Sequence, residues 1–399
     1  MREAVIIDAV RTPVGKFCGV LKSVRPDDLA ALCIAEIVKR NNLDASLIED
    51  VLLGCTNQAG EDNRNVARMA ALLAGLPYSV AGQTINRLCA SGLNAVNSAA
   101  QAIKVGEGEV FIAGGVESMT RAPFVMAKSE SAFSRDVKVF DTVIGWRFTN
   151  PKMTEPYAKE SMGDTAENVA RKYGLTRQEQ DEFALASQHK WGAADAAGKF
   201  KDELVPVVLP QKKGDPVIIS KDEFPRPDAT LEQFAKLAPA FKKDGTVTAG
   251  NSSGINDGAA AVLMMEAATA KRLGYKPMVR IVSSAVAGCD PSYMGLGPIP
   301  AVQKALARAG LKIGDIGLIE LNEAFAAQSI PCIRELGMDP AIVNVNGGSI
   351  AMGHPLGSTG ARIMGTLVHE MKRRGVRYGL VSLCIGVGQG IATIVERVD

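Results

Sequence analysis

Apolar residues along the chain recur at two spacings, and the alternation between them sets the first expectations. Near the N-terminus MREAVIIDAV enters a strand-like run at once. Short Val/Ile-rich stretches of this kind alternate with segments of small residues at helical spacing, the pattern of an α/β fold. In NRLCASGLNAV and the residues after it, Leu93, Val96, Ala100 and Ile103 predict a helix from about Ser91 to about Lys104. TRQEQDEFALASQHKWGAA predicts a second, opened by Thr176 and Glu179 as a capping box. KMTEPYAKES and KDEFPRPDATLEQ read as loops. Thirteen of the 20 aromatic residues lie between positions 121 and 250, so that segment reads as a separate unit inserted into the α/β pattern.

The two flanks repeat each other. NNLDASLIEDVLLG (41 to 54) parallels AGLKIGDIGLIELN (309 to 322), with Leu43, Ile48, Val51 and Leu53 matching Leu311, Ile316, Ile319 and Leu321 at one constant offset. CASG at 89 to 92 likewise parallels HPLG at 354 to 357. A duplicated domain sets such loops near its pseudo-twofold axis, which brings Cys89 and His354 together.

Composition narrows the function classes. A chain of 399 residues with 47% hydrophobic content has material for large cores, and a formal net charge of +2 gives no bulk attraction to nucleic acid or an anionic membrane. Seven cysteines without a CxxC pair and only three histidines argue against a disulfide framework or a zinc site. With no signal-like h-region, no apolar run of membrane-spanning length and no targeting tag at VERVD, a cytoplasmic location is expected.

Four segments are glycine-rich or polar where a strand should end: NRLCASG, NEAFAAQ (322 to 328), NGGSIAMGHPLGSTGAR (346 to 362) and CIGVGQG (384 to 390). Together they offer a nucleophile, Cys89, placed at a helix N-terminus where the dipole favours a thiolate. They also supply a base, His354, a neutral amide, Asn322, a second thiol, Cys384, and backbone N–H groups around Gly386. This is equipment for acyl transfer. The plainer reading makes Cys89 a small core residue and His354 a satisfied core histidine. Cys33 reads as core, Cys18, Cys55, Cys289 and Cys332 as packing, His369 as complementing a helix end, His189 as surface, and Glu323 as either a helix-start anchor or an orienting group.

These four segments, with GGVESMTRAP (114 to 123), GTVTAGNSSGINDGAAA (245 to 261) and MGLGPIPA (294 to 301), resemble the thiolase family of acetyl-CoA acyltransferases over the whole length. The resemblance implies two βαβαβαββ halves stacked as a five-layered αβαβα body. The N-terminal half would comprise 1–120 plus 252–273, a loop domain 121–251, and the C-terminal half 274–399. It implies CoA-dependent thiolysis of a 3-ketoacyl-CoA, or the reverse condensation, through an acyl-cysteine on Cys89. His354 would be base, Cys384 the proton carrier at the α-carbon, and His354 with a water on Asn322, and the N–H groups of Cys89 and Gly386, two oxyanion sites. Ser253, Ala249, Arg226 and Met162 match substrate-binding positions. The implied partners are acyl-CoA esters, with coenzyme A as substrate, no tightly bound cofactor and no metal, and the implied assembly is a homotetramer.

Departures bear on substrate choice. Val387 and Gln389 stand where many acetoacetyl-CoA thiolases carry Gly and Met, and Ser161 where the biosynthetic branch has a histidine, whereas 124 to 153 resembles enzymes that cleave 3-oxoadipyl-CoA. A degradative thiolase is the favoured reading, with a biosynthetic acetoacetyl-CoA thiolase or a non-catalytic lipid-carrier homologue as alternatives. An acyl-carrier-protein condensing enzyme lacks support because a cysteine stands where a second histidine or an asparagine is needed, and a cysteine protease leaves CIGVGQG unexplained.

Overall fold

The Val/Ile-rich runs fold into strands buried on both faces, which is why they read as continuous apolar stretches. The computed structural model describes residues 2–153 and 160–398, so part of KMTEPYAKES, expected as loop, lies outside the described residues. The first half contains β1 (Ala4–Arg11), β2 (Gly15–Lys16), α1 (Pro26–Arg40), β3 (Asp50–Gly54), α2 (Val66–Leu73), β4 (Ala81–Ile85), α3 (Ser91–Val105) and β5 (Val110–Ser118). The chain then leaves the sheet through β6 (Phe124–Met126), β7 (Val139–Asp141), α4 (Met162–Tyr173), α5 (Arg177–Ala196), β8 (Val207–Leu209), β9 (Val217–Ile219) and α6 (Leu231–Ala235). It returns as β10 (Asn256–Glu266) and α7 (Ala267–Arg272). The second half is β11 (Val279–Gly288), α8 (Pro298–Ala309), β12 (Leu318–Leu321), α9 (Ala326–Leu336), α10 (Ser349–Met352), α11 (Leu356–Arg374), β13 (Tyr378–Ile385) and β14 (Gln389–Arg397).

Helix α5 opens on the expected capping box, with both Thr176 and Glu179 engaged. KDEFPRPDATLEQ is not loop throughout, because its last three residues open α6, where the Thr230 N–H donates to Gln233 Oε1 at 3.0 Å.

The main sheet runs β4-β3-β5-β10-β1-β11-β14-β13-β12. Read outward from its centre, β1, β10, β5 and β3 correspond to β11, β14, β13 and β12, and the place of β4 is taken by Val343, which bridges in parallel to Ile319. Each half is antiparallel near the centre and parallel outside, and each central strand carries a bulge, at Ile6/Asp8 and at Ile281/Ser283. The short 3-10 turns Ala45–Leu47 and Ile313–Asp315 precede β3 and β12, which is the duplication read from the sequence. Among the described residues, Val5 with Arg280 and Ile6 with Val279 pair across the junction.

Three apolar clusters define the layers. One lies between α1, α2 and the outer face of the first half-sheet, and a second between α8, α9 and the outer face of the other. Between the inner faces lies the third, built on Leu93, Val96 and Ile103 of α3 and Ile363, Leu367 and Met371 of α11. The order is therefore helix, sheet, helix, sheet, helix.

Helices α3 and α11 meet without room for side chains at their N-termini. A Cβ added at Gly92 would lie 2.7 Å from the Gly357 carbonyl oxygen and 2.9 Å from the Ala361 nitrogen. One added at Gly115 would overlap that same oxygen, with Gly54 backbone behind it. Backbone on every side cannot yield, so overpacking here costs about 1–3 kcal/mol or more. Gly115→Ala should lower the midpoint of thermal unfolding by several degrees and reduce activity with it. Gly314→Ala, with no atom near the added methyl, should leave the midpoint within about a degree. Equal midpoints for the two variants would contradict this account of the contact.

Candidate active site

Cys89 stands on a tight turn just before α3. Leu88 holds a positive φ of 47°, Ala90 donates to the Arg87 carbonyl at 3.1 Å, and Ser91 Oγ accepts from the Arg87 N–H at 2.8 Å while donating to the Leu88 carbonyl at 2.6 Å. A left-handed non-glycine residue costs about 1–3 kcal/mol, so the turn is imposed by its surroundings. It leaves Cys89 partly exposed at the end of a helix with no capping side chain.

The thiol is not, however, a resting thiolate. Although the residue is partly exposed, desolvation of its thiol pushes Cys89 up to about 11, against the N–H groups of Gly386 and of Cys89 itself, which favour the anion. The expectation of a depressed value is thus corrected: desolvation outweighs the helix end. Cys384, fully buried on β13, is held well above the ordinary thiol range by burial and by the neighbouring Cys89. Gly386 lies in the turn from β13 to β14, and a Cβ there would sit 3.2 Å from Leu88 and 3.3 Å from Met162 Sδ. Cys89, Cys384, Gly386 and Met162 are therefore brought together.

His354 occupies in α11 the place that Cys89 has in α3, two residues before the first helical one. Its N–H donates to Asn256 Oδ1 at 2.9 Å, and Nδ1 lies 2.8 Å from Thr359 Oγ1. Burial, and then the charge of Arg362, lower its basicity to about 3, so the ring is neutral across the working range. Because a hydroxyl both donates and accepts, Thr359 supports either tautomer of the ring. Nε2 is buried with no partner, and Asn322 Nδ2 is buried with none either. Two orphan polar atoms in one buried region mark a place where a ligand supplies what the protein does not.

Carboxylates hold the loops in place. Glu323 accepts from Ser187 Oγ at 2.7 Å, Asn344 Nδ2 at 2.8 Å and the Ile350 N–H at 3.2 Å, so it anchors the loop leading to His354 and the anchoring reading holds. Glu117 accepts from Thr56 N–H and Oγ1, Asn57 N–H and, at 2.8 Å, Gly357 N–H. Cys55, Asp62 and Glu117 bring three possible metal ligands within 4.8 Å, but Glu117 already spends both oxygens on these donors.

Other expected positions lie apart from this cluster. Ser253 is half-buried, its N–H bound to the Ala324 carbonyl at 2.9 Å, whereas Ala249 and Arg226 are exposed on loops of the inserted segment. Ser161 caps α4, receiving the Asp164 N–H and donating to its carboxylate at 2.7 Å. His189 is on the surface, as expected, but His369 is buried and Nε2 meets the Ala9 carbonyl at 3.0 Å, so it ties α11 to β1. Cys33, Cys55 and Cys332 are core and Cys289 is half-buried; Cys18 is exposed at φ 55° and does not pack. Sequence reasoning passed over Thr359, Ser349 and Arg362, although three polar residues among the small ones of NGGSIAMGHPLGSTGAR were the available signal.

The family models for the thiolase N-terminal and C-terminal domains match residues 4–268 and 275–397. The chain is 57% identical over 401 residues to a 3-oxoadipyl-CoA/3-oxo-5,6-dehydrosuberyl-CoA thiolase of Escherichia coli, covering 100% of both. It is 50% identical over 398 residues to an acetyl-CoA acetyltransferase of Cupriavidus necator, again covering 100% of both. The crystal structure of a Bacillus anthracis acetyl-CoA acetyltransferase superposes with a TM-score of 0.94 at 44% identity, covering 100% of this chain and 99% of that one. With five layers, a duplicated sheet and a cysteine and a histidine opening its two central helices, this chain belongs to the thiolase family.

Proposed function

We propose that Cys89, His354, Cys384, Asn322 and Gly386 carry the thiolysis of a 3-ketoacyl-CoA that thiolases perform. The observation that carries this reading is the packing of the Gly386 turn against Leu88 beside Cys89, with the Gly386 N–H among the groups that favour the Cys89 anion. Cys89 sulfur attacks the 3-keto carbon while its proton passes to neutral His354, so no free thiolate is needed. The bond between C2 and C3 breaks, the shortened acyl group stays on Cys89, and the electron pair goes to C2 as an enolate. The Cys384 thiol, held protonated by its burial, delivers the proton that makes acetyl-CoA. The Cys384 thiolate left behind takes the proton held on His354, and the ring, neutral again, accepts the proton of coenzyme A as its sulfur attacks the thioester; Cys89 departs, recovers that proton from His354, and the shortened acyl-CoA is released. Developing negative charge falls on the N–H groups of Cys89 and Gly386, or on His354 Nε2 with Asn322 Nδ2.

Ser253 and Ala249 are assigned to the pantetheine arm, Arg226 to the adenine and Met162 to the acyl side. The loop domain 121–251 covers this region: Trp146, Met153 and Met162 line a small cavity with Pro291 and Val387. We assign 3-oxoadipyl-CoA as the substrate, supported by the name of the 57% relative. Acetoacetyl-CoA is the second reading, supported by the name of the 50% relative. Phe124, Met126 and Phe133 are 72%, 65% and 100% exposed on the inserted segment, which supports a homotetramer. The location assigned is cytoplasmic; no helix among the described residues is long and apolar enough to cross a membrane.

The two thiols are separable by experiment. Cys384→Ala keeps nucleophile, base and backbone donors, so acetyl exchange from acetyl-CoA to a second thiol should persist while thiolysis falls about 10² to 10⁴-fold. Equal loss of both reactions in a folded variant would remove Cys384 from proton transfer.

Val387 tests specificity. This β-branched residue holds φ 63° and is 37% exposed beside the cavity. Val387→Gly should relieve about 1 kcal/mol or more of strain, raise the unfolding midpoint and shift the ratio of kcat/KM for 3-oxoadipyl-CoA over acetoacetyl-CoA. An unchanged ratio would show that the position does not touch the acyl group.

Association is a further consequence: sedimentation should give a mass near four chains, and Phe133→Asp should lower it. A wild-type chain that sediments as a monomer would remove the tetramer.

A further inference from the structure

The two orphan atoms of the site share one anchor. Arg362, buried on α11, points Nη2 at Ser349 Oγ, 2.8 Å away, and at the Gly353 carbonyl, 3.2 Å away, with Nη1 2.9 Å from Met352 Sδ. Ser349 Oγ in turn lies 2.6 Å from Asn322 Oδ1. A guanidinium carries donors only, so Ser349 Oγ accepts from Arg362, and although its second lone pair is free to take an amide N–H, 2.6 Å is the length of an O–H···O bond and short for N–H···O, so the hydroxyl proton goes to Asn322. The atom of the amide that meets this proton is therefore the carbonyl oxygen. The polarity of the amide follows from the donor chain together with this short distance. Nδ2 is then the group left facing away, as a donor, and it is the atom that lacks a partner. The same guanidinium nitrogen holds the carbonyl immediately before His354, so one buried cation fixes both the amide and the approach to the ring.

We propose that Arg362 and Ser349 are positioning residues for thiolysis: through Ser349, Arg362 locks Asn322 with its N–H outward, and through Gly353 it sets the place of His354. The proposal rests on the oxyanion role given to Asn322 above. A freed amide spends part of its time with the carbonyl facing the oxyanion, which repels where it should stabilise. The effect therefore falls on the transition state, and the binding of substrate changes little.

The test is a double-mutant cycle on the full-length enzyme with a 3-ketoacyl-CoA and coenzyme A. Asn322→Ala should lower kcat about 10²-fold, and Ser349→Ala about 10-fold or more with KM within about twofold. If Ser349 acts through Asn322 alone, the double variant should be no slower than Asn322→Ala. Ser349→Thr, which keeps the hydroxyl, should recover part of the loss, and the rate of Cys89 alkylation by iodoacetamide should be the same in all variants. Multiplying losses in the double variant, or wild-type kcat in Ser349→Ala beside an impaired Asn322→Ala, would overturn the positioning role alone. Wild-type kcat in Asn322→Ala would overturn the oxyanion reading as well.

Discussion

The structure depends on how closely two backbones approach where α3 and α11 begin. The Gly357 carbonyl sits against Gly92 and Gly115, and Gly54 packs onto the backbone of Ser91 and Gly92. This contact lets two apolar helices share the space between two half-sheets, and it occurs at their N-termini. Cys89 and His354 precede those termini by two residues each, so the packing that closes the middle layer also sets the relation between nucleophile and base. Glu117 fastens the same point by accepting from Gly357 on one side and from Thr56 and Asn57 on the other.

Around that contact, burial decides the chemistry. Cys89 is pushed up to about 11 and His354 down to about 3, so the resting pair is a neutral thiol and a neutral imidazole. Charge appears only when substrate arrives, and it appears beside fixed N–H groups. Glu323 and Arg362 hold the loop segments between β12 and α11 from within, each through partners that leave Nε2 of His354 and Nδ2 of Asn322 free of protein hydrogen bonds.

Much of this was legible in the sequence. The spacing of Leu93, Val96, Ala100 and Ile103 located α3 to within a residue, and the constant offset between Leu43 and Leu311 exposed the duplication, because both report local periodicity. Other features were not legible. A thiol at a helix end reads as activated, but the burial that pushes it up is set by tertiary packing and leaves no mark in the local periodicity. The positive φ of Leu88 and Val387 is imposed by surroundings, not by residue type. Ser349 and Arg362 lie 27 and 40 positions from Asn322, and only the fold brings them together. Cys18 failed for the opposite reason: an apolar-looking residue in a turn that nothing covers.

The central claim is that the acyl group is carried by Cys89. Wild-type protein mixed with acetyl-CoA, quenched in acid and digested should show one acetyl group per chain by mass spectrometry, on the peptide containing Cys89, and addition of coenzyme A before the quench should remove it. Acetyl found on Cys384 or Cys18, or on Cys89 but indifferent to coenzyme A, would contradict the account.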